Sequence, residues 1–266
     1  MNSGSARAIA RWRICYGSGT KETCMGERVE RFWSLPETIS EDRGRLGFAG
    51  NAGGVQQLWP GIRGGRRPPE FAYPITIAEY IAREEAGEHK HEFVDGFVYA
   101  MAGASSAHAT ITGNLEVVIR PLLRGSGCRA YGSDMKLAMP DVPRSSSGTR
   151  GTFYYPDYMV TCSKIDREPS ADKIKREPCL VIEVLSPSTA AIDRTEKLDR
   201  YRKIRSLEQY WLVDQESRRI VVFERDGSSW RETEHTSPNT RLRLPIEGLE
   251  VRLDDVYIEV FEDQID

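Results

Sequence analysis

Residues Cys179–Leu185 read CLVIEVL, an apolar run of strand length interrupted by one acid, Glu183. Such a run marks a central strand covered on both faces. Alternation puts Glu183 on the same face as Val181 and Leu185. An isolated carboxylate there costs several kcal/mol, so it must be paired, protonated or bound to a cation. A structural ion pair with a Lys or Arg would satisfy it and carry no function. A second acid, Asp157, stands in Tyr155-Pro156-Asp157 within another strand candidate. Two carboxylates aimed at one point from neighbouring strands do not both ionise easily without a cation between them. Hard divalent metals such as Mg²⁺ take such oxygen ligands. Acids of this kind with Mg²⁺ and a nearby lysine suit phosphodiester hydrolysis, because the metal activates water and offsets charge developing on phosphate.

The lysine candidate is Lys197. Asp193, Lys197 and Tyr201 follow at i, i+4 and i+8 on the helix predicted after Glu183, one above another. The same spacing is also that of an ordinary solvated Asp–Lys pair, worth only ~0.3–0.5 kcal/mol. Arg194, Arg200, Arg202 and Lys203 make the helix basic on its other sides, for phosphate contact or for solubility.

The elements that must position these residues are readable between Phe71 and Val260. Thr76 with Glu79 three residues on predicts a capped helix to Glu85. His91–Ala102 divides into two short strands around Asp95-Gly96, a two-residue hairpin turn. Ser105 or Ser106 caps a helix to about Leu123, with Ile111, Leu115, Val118, Ile119 and Leu122 on one face. Cys128–Ala138 and Tyr154–Cys162 are strand candidates separated by a polar loop, and Ile165–Glu177 is a charged connector. Residues 189–204 form a helix, Tyr210–Val213 and Arg219–Glu224 are strands, and Asp226-Gly227 turns the chain into Trp230–Glu234. Residues 242–260 are irregular strand and loop. The sum is one α/β or α+β domain: a mixed sheet of six or more strands with two or three helices.

Composition bounds the rest. The chain has 266 residues, with 37 basic and 40 acidic side chains and a net charge of −3. Residues 1–70 hold 11 basic and 7 acidic groups, net +4, so residues 71–266 carry 26 and 33, net −7. The leader is Gly/Arg-rich and without period, which reads as a disordered extension. A transit peptide and an upstream extension from a misplaced start codon are the other readings of it. No apolar run nears the ~18 residues of a membrane helix. Five scattered cysteines without C-x-x-C spacing argue for a reducing cytoplasm and against a disulfide framework or structural zinc. Cys162 and Cys179 read as small core residues.

Strand-Pro-Asp, then 25 residues, then Glu in an apolar strand resembles the PD-(D/E)xK nuclease superfamily. Within it the chain resembles the bacterial Uma-two family of restriction-endonuclease-like proteins, over about residues 73–225. The pieces that match are Tyr80, His91–Gly96, Ser106-Ala107-His108, Tyr155–Asp157, Val181–Thr189, Asp193, Lys197, Tyr201 and Tyr210–Asp214. The resemblance implies a restriction-endonuclease-like α/β (α+β) fold: a mixed β-sheet flanked by helices over 71–266, with 1–70 as the extension. It implies Asp157 and Glu183 as ligands of Mg²⁺ or Mn²⁺, Lys197 as the lysine that orients water and stabilises the phosphate, and Glu92 as a supporting acid. The superfamily lysine stands two residues after the Glu, where this chain has Leu185, so Lys197 replaces it from the helix and Lys136 is held in reserve. His108 matches a family position, with a hydrogen-bonding role as open as a catalytic one. DNA is the implied substrate, a homodimer the implied assembly and the cytoplasm the implied location, with no membrane.

Ser186-Pro187-Ser188-Thr189 lacks the G-x-S-x-G setting of a nucleophile, and Gly61–Gly65 lacks the Gly-Lys-Ser/Thr of a phosphate loop. The competing class is a nuclease-like fold without catalysis, a DNA-binding or interaction module. The net charge of −7 on residues 71–266 speaks for it, because DNA wants positive surface. Only a locally basic groove, along the Asp193–Arg205 helix, answers that objection.

Overall fold

The computed structural model describes residues 69–261, apart from 72, 102, 144–147 and 172, all within the unit Asn51–Asp266. The readings of the leader, and Cys15 and Cys24 with it, lie outside the described residues.

Local signals resolve as their chemistry dictates. Thr76 caps α1 (Ile77–Ala86), accepting from Glu79 N while the Glu79 carboxylate accepts from Thr76 N at 2.8 Å, the reciprocal capping box. Asp95 and Gly96 take φ of 49° and 96°, the two left-handed positions of a tight loop between β1 (His91–Val94) and β2 (Phe97–Ala100). Ser105 caps α2 (Ser106–Leu122), whose Ile111, Leu115 and Ile119 are buried. Leu122, expected on the same face, is instead exposed. The last turn tightens so that Leu123 N donates three residues back to Arg120 O, and Leu123 turns inward in its place.

The one mixed sheet expected from the sequence proves to be two. The strand expected over Cys128–Ala138 turns at Ser133 and Asp134 into β3 (Arg129–Gly132) and β4 (Lys136–Ala138). The strand expected over Tyr154–Cys162 breaks at Tyr155-Pro156-Asp157 into β5 (Thr152–Tyr154) and β6 (Tyr158–Thr161). Pro156 has no N–H to give a ladder, which makes it a natural exit point. The charged connector contributes the short β7 (Ile174–Lys175). Next come β8 (Leu180–Leu185), the helix α3, then β9 (Gln209–Asp214), β10 (Ile220–Asp226) and β11 (Ser229–His235). Helix α3 consists of Ala190–Ile192, a π-helical turn Asp193–Lys197 and Leu198–Tyr201.

One sheet runs β2-β1-β5-β4-β7 and the other β11-β10-β9-β8-β6-β3. Thus β3 and β6 belong to the six-stranded sheet, β4, β5 and β7 to the five-stranded one, and between β2 and β8 the chain passes from one sheet to the other five times. A small ribbon of β12 (Arg241–Arg243) and β13 (Glu250–Arg252) leads into α4 (Leu253–Val256). The β10–β11 loop is Gly227-Ser228, one residue later than read from the sequence, since Asp226 still pairs with Ser229.

Strand β8 lies inside the six-stranded sheet, antiparallel to β6 and parallel to β9, and every residue of it is buried. Helix α3 supplies the crossover that a parallel pair requires. Leu180, Ile182 and Val184 pack with Ile111 and Leu115 of α2 on one face, while Val181 and Leu185 pack with Leu198 and Tyr201 on the other. Each such buried side chain contributes about 1.5–3 kcal/mol. The strand is therefore held from both sides, and Glu183 is fixed on the face toward α3.

The cysteines correct the sequence reading. Cys128 and Cys162 form a disulfide across the β3–β6 pair, just beyond the Arg129–Thr161 partners, while Cys179 remains a buried free thiol. Residues 34 apart give no sequence signal of pairing; the antiparallel register brings them together. Among the described residues no helix is long and apolar enough to cross a membrane.

Candidate active site

A cleft of about 510 Å³ opens where the two sheets meet, and Glu92, Asp157, Glu183 and Lys197 all line it. Each comes from a different element. Glu92 is on β1, in the five-stranded sheet; Glu183 is on β8, in the six-stranded one; Asp157 follows the proline at the crossing; Lys197 ends the π-helical turn of α3. Such turns are rare and recur at functional sites, because the extra residue re-aims the side chains that follow it.

Lys197 Nζ lies 3.0 Å from Glu183 Oε1, 3.1 Å from Glu92 Oε1 and 3.2 Å from Asp193 Oδ1. Its side chain is only 7% exposed, so the solvated-pair reading of Asp193 and Lys197 does not hold. Tyr201 donates its hydroxyl to Glu183 Oε1 at 2.7 Å, and Tyr210 donates to Asp193 O at 3.0 Å. The ammonium also stands 5.4 Å from the centre of the Tyr154 ring.

Three carboxylates thus surround one ammonium. Burial disfavours a charged Lys197, yet Asp193, Glu183 and Glu92 outweigh it and hold its pKa well above the ordinary lysine value. Burial pushes Glu183 well above the usual carboxylate range, with Asp193 and Asp157 adding to it against Lys197. Asp193 is raised as well, again mainly by burial. The two directions are compatible: buried carboxylates crowded together raise one another, and the same carboxylates favour the charged lysine.

Asp157 is bound differently. Its Oδ2 accepts from Val184 N at 2.7 Å and pairs with His108 Nε2 at 3.1 Å, and its own N–H lies 3.4 Å from Glu183 Oε2. Burial works against a charged His108, but the hydrogen bond and charge of Asp157 raise its pKa overall. The described hydrogen bonds therefore use Oδ2 of Asp157, and Lys197 and Tyr201 use Oε1 of Glu183. Asp157 Oδ1 takes no part in these bonds, and Glu183 Oε2 accepts only the long bond from Asp157 N. Among the described residues no group of three or more His, Cys, Asp and Glu side chains forms a closed metal site. An open set of two carboxylates fits Mg²⁺, which keeps waters and takes phosphate oxygens instead of a protein cage.

The four residues singled out from sequence are thus brought together, and His108 joins them through Asp157. Lys136 is not: it lines a separate cleft, with its Nζ 3.1 Å from the Tyr155 hydroxyl. Sequence reasoning placed Tyr201 beside Lys197 but not on Glu183, and it missed the latch from Ser105 Oγ to Gln215 Oε1 at 2.6 Å. No local pattern encodes a contact across 110 positions. Of the basic side chains expected to line a groove along α3, two turn to internal contacts. Arg200 is bound inward by Asp95, Asp141 and Thr152, and Arg202 stacks on Phe223.

Comparison with known proteins gives one consistent answer. A family model described as "Putative restriction endonuclease", Uma2, matches residues 77–254. The uncharacterized protein slr1290 of Synechocystis is 33% identical over 191 residues, which is 71% of this chain and 95% of that protein. Another Synechocystis protein, sll1609, is 31% identical over 171 residues, or 64% and 92% of the two chains. Among solved structures, a putative nuclease belonging to DUF820 from Anabaena variabilis superposes with a TM-score of 0.57 at 20% identity. That match covers 71% of this chain and 100% of the other, and it supports the fold. With the family model spanning the two sheets, the crossings between them and the cleft residues alike, the chain belongs to the Uma2 family of putative restriction endonucleases.

Proposed function

We propose that the protein is a metal-dependent endonuclease that hydrolyses phosphodiester bonds in DNA, using Mg²⁺ or Mn²⁺, in the cytoplasm. The observation that carries this is the convergence of Asp157, Glu183 and Lys197 at one cleft, with the lysine 3.0 Å from Glu183. A bound divalent cation would activate water and neutralise charge on the phosphate. Asp157 and Glu183 would hold it. Lys197, kept cationic by its three acids, orients the attacking water and stabilises the added charge of the pentacoordinate phosphate. Glu92 and Asp193 hold the ammonium in place, and His108 fixes the rotamer of Asp157.

The decisive experiment is plasmid cleavage with Mg²⁺ or Mn²⁺ by the wild type, Asp157→Ala and Glu183→Ala. The wild type should nick or linearise the plasmid and both variants should not. Cleavage that persists in both variants would mean a different site or a contaminant. The acidity of residues 71–266 favours a second reading, a DNA-binding or interaction module without catalysis; binding without cleavage by the wild type would be its signature.

A further inference from the structure

Arg200 and Arg202 of the expected α3 groove are taken up by internal contacts, so an acidic domain that acts on DNA needs positive surface beyond that helix. A second cleft of about 410 Å³ lies where the C-terminal end of α2 meets β3, and Arg120, Arg124 and Arg129 line it with Tyr131. No carboxylate is among its lining residues. Arg120 is ion-paired to Glu116 and donates to Ala130 O at 3.3 Å, which holds its guanidinium along the wall. Among the described residues neither Arg124 nor Arg129 has an acid within ion-pair distance, and both are exposed.

We propose that this arginine cleft holds the phosphate backbone of duplex DNA flanking the bond to be cut; this rests on the nuclease reading above. Guanidinium matches phosphate with its planar fork of donors. The cleft also borders β3, which ends the six-stranded sheet and so has one edge with no strand beside it among the described residues. The N–H groups of such an edge are further donors for phosphate oxygens.

The placement suits one duplex. Gly132, at the end of β3, pairs with Tyr158, the residue after Asp157. Arg129 is three residues back along that strand, about 10 Å at ~3.3 Å per residue. Helix α2 carries the other side: His108, which touches Asp157, and Leu122 at the helix end are 14 residues apart, about 21 Å at ~1.5 Å each, with Arg124 two residues beyond. At ~3.4 Å of rise per base pair the cleft reaches phosphates about three to seven pairs from the active site.

The test is fluorescence anisotropy with a labelled duplex of roughly 20 base pairs, long enough to fill both clefts at that rise, titrated at several salt concentrations with Ca²⁺ in place of Mg²⁺. Neutralising two phosphate contacts flattens the dependence of log affinity on log salt by ~1.8, at ~0.9 per contact. Arg124→Gln with Arg129→Gln should show that loss, while Arg124→Lys with Arg129→Lys, which keeps both charges, should retain the wild-type slope. An unchanged slope in the Gln pair, or loss of slope in the Lys pair, overturns the proposal. Plasmid cleavage in Mg²⁺ separates it from the reading beneath it. A wild type that binds with the arginine-dependent slope but never cleaves removes the nuclease reading and keeps the arginine cleft. Cleavage with a slope indifferent to the Gln pair does the reverse.

Discussion

The Asp157 carboxylate accepts the backbone N–H of Val184 at 2.7 Å, so the acid that follows the sheet crossing is tied to the strand beside Glu183. Placing one candidate ligand therefore places the other. Replacing Asp157 by Ala removes a candidate ligand and orphans a buried N–H, whereas Asn keeps an acceptor oxygen and loses only the charge. Asp157→Ala should lose about 1–3 kcal/mol of stability, the desolvation penalty of the unpaired donor. Asp157→Asn should lose much less. Both should reduce cleavage at least ~100-fold, more than an outer-shell partner of a metal site usually supplies. Urea unfolding beside plasmid cleavage separates the two effects, and equal stability of Ala and Asn variants would contradict the Val184 tie.

Lys197→Met strips the ammonium from three buried carboxylates. Removing one partner of a buried charge cluster typically costs ~3–5 kcal/mol. Cleavage should fall ~10²–10³-fold, as for loss of a single transition-state donor. Adding Glu92→Gln should return part of the stability without returning activity. A double variant with restored turnover would assign Lys197 to structure alone.

Cys179 supplies a pH dependence away from the cleft. Burial pushes its thiol up to about 11 from an ordinary 9.0. The folded state thus holds the proton more tightly than the unfolded one, and this contribution to stability is complete below 9 and lost as pH rises toward 11. Unfolding by urea at pH 8 and pH 10 should show that decline, with Cys179→Val flattening it. Native protein at pH 8 should also resist alkylation by iodoacetamide until unfolded, because the thiolate is the nucleophile.

The Cys128–Cys162 bridge closes a loop of 34 residues at the edge of the six-stranded sheet. On chain-entropy grounds a loop of that size is worth about 3–4 kcal/mol. Dithiothreitol, or Cys128→Ser, should lower the urea midpoint accordingly. Cleavage at low denaturant should fall no further than duplex affinity does, since the bridge lies beside the arginine cleft and at the far end of β6 from Asp157. A large activity loss on reduction would show that the edge strand is needed to hold the crossing.

Much of this was legible because it is local. The Thr76 capping box, the Asp95-Gly96 turn and the burial of CLVIEVL depend on neighbours within a few positions. The oddity of an acid inside that run led directly to Glu183, and helical spacing led to Lys197. What the sequence hid is long-range. Nothing around Tyr155-Pro156-Asp157 states that the two halves of one apparent strand enter different sheets. Nor does any pattern show that Arg200 turns inward to Asp95 and Asp141, or that Cys128 meets Cys162. The α3 periodicity was read as regular, and the π-helical turn that aims Lys197 departs from it by one residue.

Because the chain changes sheets at Pro156, the cleft is a seam: one sheet brings Glu92, the other brings Glu183, and neither owns the site. On the proposed nuclease reading, a fragment comprising a single sheet should lack the chemistry, and so should a folding intermediate with one sheet formed. A protein that hydrolyses phosphodiesters would thereby be harmless to its own host until its final folding step is complete.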